Sequence, residues 1–79
     1  MPRITVLYFA ALREQRGRPR EELEVAEGTT LARLYADLFP ASPLGSLPAA
    51  FVRNQRHAEP DEAVADGDEI AFLPPLGGG

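Results

Sequence analysis

One stretch of this chain carries its apolar residues on the period of an α-helix: Leu31, Leu34, Tyr35 and Leu38 fall at i, i+3, i+4 and i+7. With 79 residues there is room for one domain and one core. Whatever else the chain forms must therefore pack on that stripe. The pattern predicts a helix with Thr29 or Thr30 as N-cap, no capping box behind it, and a stop at Pro40.

The flanking segments change period. Residues 3–9, Arg-Ile-Thr-Val-Leu-Tyr-Phe, are β-branched and aromatic and read as a strand with Ile4, Val6 and Tyr8 on one face and Thr5, Leu7 and Phe9 on the other. Good helix formers over 10–16 stop at Gly17, which suits one or two helical turns. Residues 20–26 alternate, with Leu23 and Val25 inward. Three prolines, a glycine and two serines make 40–48 an irregular surface crossing. A hairpin follows, with strand 50–53, a turn at Asn54-Gln55 and a return over 56–58. A last strand covers 69–73, after the turn Asp66-Gly67-Asp68 and before Pro74-Pro75.

Strands covered on one side by a single amphipathic helix make an α+β roll with a mixed sheet. The helix stripe should meet Ile4, Val6, Tyr8, Leu23, Val25, Ile70 and Phe72. The other sheet face should show Leu7, Phe9, Ala71 and Leu73, an exposed apolar patch if the first and last strands are neighbours.

Charge and composition narrow the function. The net charge is -4, with eight Arg, no Lys and no Cys. No disulfide framework or thiolate metal site is available. The opening residues lack a secretory pattern and no apolar run approaches bilayer length, so the expected location is cytoplasmic, away from membranes. A core this small leaves few large side chains to wall an enclosed active site. Arg13, Arg16, Arg18 and Arg20 cluster, but the acidic balance and the missing aromatic motif argue against nucleic acid and for a solvated face. The acidic run Glu59, Asp61, Glu62, Asp66, Asp68 and Glu69 lacks calcium-loop spacing and reads as a solvated edge, and His57 as a surface histidine. No metal site is expected.

The informative segment is Leu73-Pro74-Pro75-Leu76-Gly77-Gly78-Gly79. Two prolines stiffen the exit from the last strand, and three glycines leave the tip without side chains. Extended, the five residues after Pro74 reach about 17 Å, enough to enter a narrow tunnel in another protein and leave the Gly79 carboxylate at its far end. With neither an amine side chain nor a thiol, the chain cannot lose an activated terminus to an internal isopeptide or thioester. The expected division is a domain over 1–75 and a flexible tail over 76–79.

Val6-Leu7-Tyr8-Phe9-Ala10, Arg13-Glu14, Gly17, Asn54-Gln55, the block from Asp66-Gly67-Asp68-Glu69 to Pro74-Pro75, and the final Gly78-Gly79 are similar to the small subunits of molybdopterin synthase. The resemblance implies a β-grasp, ubiquitin-like fold and a sulfur carrier that is not itself the catalyst. It implies that Gly79 is adenylated by a ubiquitin-activating-type enzyme using ATP, then becomes a thiocarboxylate through a sulfur donor protein. It further implies that Leu76, Gly77 and Gly78 enter the large synthase subunit, where sulfur passes to precursor Z, in a heterotetramer. No cofactor is held by the chain itself. Leu7, Phe9, Arg13, Ala71, Leu73, Pro74 and Pro75 would form the partner interface. His57 and Gly77 depart from the family pattern. Two other readings stay open: a thiazole-synthesis sulfur carrier or ubiquitin-like modifier, and a β-grasp binding module with an inert tail.

Overall fold

The computed structural model describes residues 1–40 and 50–73. The elements run β1 (Arg3–Tyr8), α1 (Ala10–Arg16), β2 (Arg20–Glu24), α2 (Leu31–Leu38), β3 (Ala50–Arg53), β4 (Arg56–Ala58) and β5 (Glu69–Leu73). The five strands form one mixed sheet in the order β2-β1-β5-β3-β4. β1 and β5 lie parallel at its centre, and the other pairs are antiparallel. The first and last strands are neighbours, as the patch argument required.

Helix α2 forms where the stripe predicts it. Leu31, Leu34 and Tyr35 are buried, and Leu38 is half-buried against the same core. The first N–H groups of the helix have no partners inside it and must find them elsewhere. Leu31 N–H donates to the Glu62 carbonyl and Ala32 N–H to the Pro60 carbonyl, both at 2.9 Å, while the Thr30 hydroxyl accepts from Arg33 N–H at 3.1 Å. The chain over 60–62 thus finishes the helix, which explains why an incomplete capping box suffices. Thr30 is the N-cap; the Thr29 hydroxyl donates instead to the Ala26 carbonyl.

The sheet buries Ile4, Val6, Tyr8, Ile70 and Phe72 beneath α2, as alternation predicts. Leu23 and Val25 are only partly buried, because β2 is an edge strand and ends at Glu24. The core also takes in Leu12, Phe39, Phe51, Ala58 and Val64. Phe39, just past α2, lies 5.0 Å from the Tyr35 ring and 5.9 Å from Tyr8, and Phe72 lies 5.2 Å from Tyr35. The Tyr8–Phe39 and Tyr35–Phe72 pairs are edge-on and the Tyr35–Phe39 pair tilted; aromatic contacts of this kind add about 1 kcal/mol each to simple burial, which compensates for an alanine-rich apolar composition.

β1 ends at Tyr8 rather than Phe9, because Phe9 is the N-cap of α1. Gly17 closes α1 at φ 74, and its N–H donates to the Arg13 carbonyl. In the β3–β4 hairpin Asn54 and Gln55 both take positive φ, 54 and 67, as a two-residue turn with the right-handed sheet twist demands. Among the described residues no helix is long and apolar enough to cross a membrane.

Candidate partner-docking face and tail root

Directly paired residues share a face of the sheet, so the register lays out the side away from α2. Arg20 lies opposite Leu7, Leu7 opposite Ala71, Ala71 opposite Val52 and Val52 opposite His57. One row thus crosses all five strands, apolar in the middle and capped at each end by a basic side chain. Toward the C-terminal end of β5 sit Leu73 and its partner Ala50. Tyr8 pairs with Phe72, so Phe9 follows level with Leu73. In the other direction the face turns polar through Glu22, Thr5 and Glu69, then Glu24 and Arg3. Polarity therefore falls along the face toward the point where the chain leaves β5.

Phe9 and Leu73 are 44% and 39% exposed, and with Met1 they are the exposed large hydrophobics among the described residues. Leu7 is half-buried. Ala71 corrects the expectation of an exposed patch residue: it is buried, at 7%. Its single methyl lies between the longer Leu7 and Val52 on the two neighbouring strands, and they cover it. Ala71 sets the floor of the patch and Leu7 and Val52 its walls. Val52 and Ala50 escaped the sequence reading, although the alternation that turns Phe51 inward would have pointed both outward. Arg13 is exposed on α1. Pro74, Pro75, Leu76, Gly77, Gly78 and Gly79 lie outside the described residues, as does the proposed boundary of the tail.

Two polar clusters hold this face in place. On the side of β2, Glu21 Oε1 accepts from the Tyr8 hydroxyl and from Arg16 Nη2, both at 2.7 Å, and Oε2 accepts from Arg18 at 3.2 Å. The Arg16 guanidinium also stacks over the Tyr8 ring at 5.7 Å and donates to the Leu38 carbonyl. Burial raises the Glu21 pKa, but the hydrogen bonds from Tyr8 and Arg16 and the nearby arginine charges outweigh it, leaving a net lowering. Burial first, and Glu21 second, push the Tyr8 phenol far above its usual range. Arg16 is therefore structural, not part of a solvated basic face.

At the start of β5, Asp68 is 7% exposed, which corrects its reading as part of a solvated acidic edge. Its carboxylate accepts from Arg53 Nε at 2.7 Å, Ala65 N–H at 2.8 Å and Asn54 Nδ2 at 2.9 Å. Burial raises its pKa, and these donors together with the Arg53 charge reverse the sign, holding it below the ordinary carboxylate value. Asn54 in turn accepts from Glu69 N–H at 2.9 Å, and the Asn54 N–H donates to the Glu69 carbonyl at 2.7 Å. The segment Asp66-Gly67-Asp68-Glu69 thus locks hairpin and last strand together. Among the described residues no three acidic or histidine side chains are grouped so as to hold a metal ion.

Comparison with known proteins follows the same lines. The ThiS family model matches residues 6–79. The chain is 41% identical over 81 residues to a molybdopterin synthase sulfur carrier subunit of Chlamydomonas reinhardtii, covering 96% of this chain and 98% of that protein. It is 37% identical to one of Mycobacterium tuberculosis, with both chains fully covered. Among solved structures, small archaeal modifier protein 1 of Haloferax volcanii matches with a TM-score of 0.81 at 26% identity, covering 96% of this chain and all of that one. Molybdopterin converting factor subunit 1 of Pyrococcus furiosus gives 0.80 at 24% identity over the same shares, a likeness of fold. Subunit 1 and 2 of the Helicobacter pylori factor, solved as a complex, give 0.58 at 22% identity, covering 98% of this chain and 99% of that chain.

Proposed function

This chain belongs to the ThiS family, and from that premise we propose that it is a sulfur carrier of molybdenum cofactor biosynthesis whose working group is the carboxyl of Gly79. Its fold is the ubiquitin-like β-grasp. The observation that carries the reading is the position of Phe9 and Leu73: two exposed apolar side chains stand side by side where β5 hands the chain to Pro74-Pro75 and the three glycines. A partner that covers them receives the tail at the same time.

The chemistry follows from what a carboxylate lacks. Its oxygen is a poor leaving group until it attacks the α-phosphorus of ATP with loss of pyrophosphate. Sulfur at the level of sulfide then adds to the acyl carbon and AMP departs, so that one oxygen of Gly79 is exchanged for sulfur. ATP is used by an activating adenylyltransferase and not held by this chain. A sulfur donor protein supplies the sulfur, and the large synthase subunit receives the tail through Leu76, Gly77 and Gly78. Leu7, Phe9, Leu73, Pro74 and Pro75, with Arg13 at the margin, make the docking surface. Cytoplasmic placement and a heterotetramer complete the proposal. The absence of Lys and Cys supports it, because no side-chain amine or thiol of the chain competes for the activated acyl group.

Incubating the chain with an activating enzyme of this type, ATP and a sulfur donor should yield a species heavier by about 16 Da, with the change on the terminal peptide. If no donor produces that species, Gly79 does not carry sulfur.

A further inference from the structure

Strand β2, next to β1, is an outer edge of the sheet. The bonds from Tyr8 N–H to the Pro19 carbonyl and from Val25 N–H to the Pro2 carbonyl fix the phase of its ladder. Glu21, Leu23 and Val25 turn their main-chain groups to β1. Arg20, Glu22 and Glu24 turn theirs to the open side. Between β2 and α2 runs a groove with the half-buried Leu23, Val25 and Leu38 and the buried Leu34 along its length, and Glu27, Arg33 and Asp37 on its rim. Asp37 is matched by Arg33 four residues before it. Glu22 pairs with Arg3, but both are more than half exposed and such a pair contributes little.

We propose that β2 accepts an extended peptide in which apolar residues alternate with lysine or arginine. Strand addition uses the main-chain groups of Arg20, Glu22 and Glu24. Alternation then sends every second side chain of the guest into the groove over Leu23, Val25, Leu34 and Leu38. The remaining side chains fall along the other face, where Arg20 stands at one end and Glu22 and Glu24 follow it, so cations are favoured opposite the two glutamates. A second copy of this chain is the rival guest: antiparallel pairing of two β2 edges centred on Glu22 sets Glu22 against Glu22 but Arg20 against Glu24 twice, so a concentration-dependent dimer formed through these amides without peptide overturns the proposal. Charged edge strands also occur simply to prevent pairing, and the two roles separate by experiment.

The full-length chain, labelled with nitrogen-15, is titrated with a blocked hexapeptide of alternating lysine and valine, with its glutamate–valine counterpart, and with a lysine–valine peptide carrying a central proline. The proposal expects shifts and slowed hydrogen exchange at the amides of Arg20, Glu22 and Glu24. The lysine peptide should bind at least about tenfold tighter than the glutamate peptide, as two or three charge pairs allow. The proline peptide should be weakened, and the doubly substituted chain Glu22→Lys, Glu24→Lys should reverse the preference. Equal affinity for all three peptides, shifts confined to the Phe9 and Leu73 face, or no binding at millimolar concentration each overturn it.

Discussion

The guanidinium Nε–H of Arg53, at the end of β3, donates to Oδ2 of Asp68 across 2.7 Å, just before β5 begins. The bond ties together two strands that are neighbours in the sheet but fifteen residues apart in sequence. With two further donors on the same carboxylate, it makes Asp68 the fixed point from which the last strand departs. Asp68→Asn should cost about 2 kcal/mol by urea denaturation, since the buried donors keep their positions but lose the charge they were arranged around.

Asp68 and Glu21 also set the acid limit of the fold. Both have net lowered pKa values, so the unfolded chain binds their protons more readily than the folded one. Their contribution is complete above the ordinary carboxylate value of about 4 and drains away as pH falls below it. The urea midpoint of the natural chain should therefore hold from pH 7 to 5 and drop below pH 4. The double variant Asp68→Asn, Glu21→Gln, weaker throughout, should show a flatter profile over that acid range.

Phe9→Arg and Leu73→Arg test the docking face without touching the core, because both side chains already project into water. Circular dichroism and thermal midpoint should be nearly unchanged. Calorimetry against a large synthase subunit should show the dissociation constant raised by roughly 30-fold or more, as loss of a central apolar anchor implies. Ala71→Arg serves as a contrast. At 7% exposure it has no room, and it should lose stability as well as binding.

Gln55 holds φ 67 in the two-residue turn of the hairpin, a conformation glycine adopts without strain. Gln55→Gly should raise stability by about 0.5 kcal/mol, with Asn54 left in place as the first residue of the turn. A lower midpoint would mean that the Gln55 side chain contributes more than its backbone costs.

The length of the tail should be as strict as its composition. Deleting Gly79, or adding one bulky residue after it, should abolish the gain of sulfur and cofactor synthesis in a complementation assay while leaving the folded domain intact. Full activity of either variant would indicate an inert tail.

The elements were legible because each rests on local chemistry: the stripe of α2, the glycine after α1, the left-handed tolerance of Asn54. The side of the sheet that each residue faces was legible too, since a period of two decides it. What escaped depends on partners distant in sequence. Asp68 sits in a run of acidic residues and reads as one more solvated charge; the Ala65 N–H is local, but only the fold brings Arg53 and Asn54 to it. Ala71 reads as exposed because alternation gives its face, but its burial is set by the length of its neighbours Leu7 and Val52. Arg16 reads as one of four clustered arginines, whereas Glu21 and the Tyr8 ring single it out.

The parallel pairing of β1 with β5 has a mechanical consequence. A pull on the end of β5, resisted through the start of β1, loads their ladder in shear, so its bonds must fail together instead of being unzipped one by one. A guest that grips the terminus and tugs on it meets the stiffest direction of the domain.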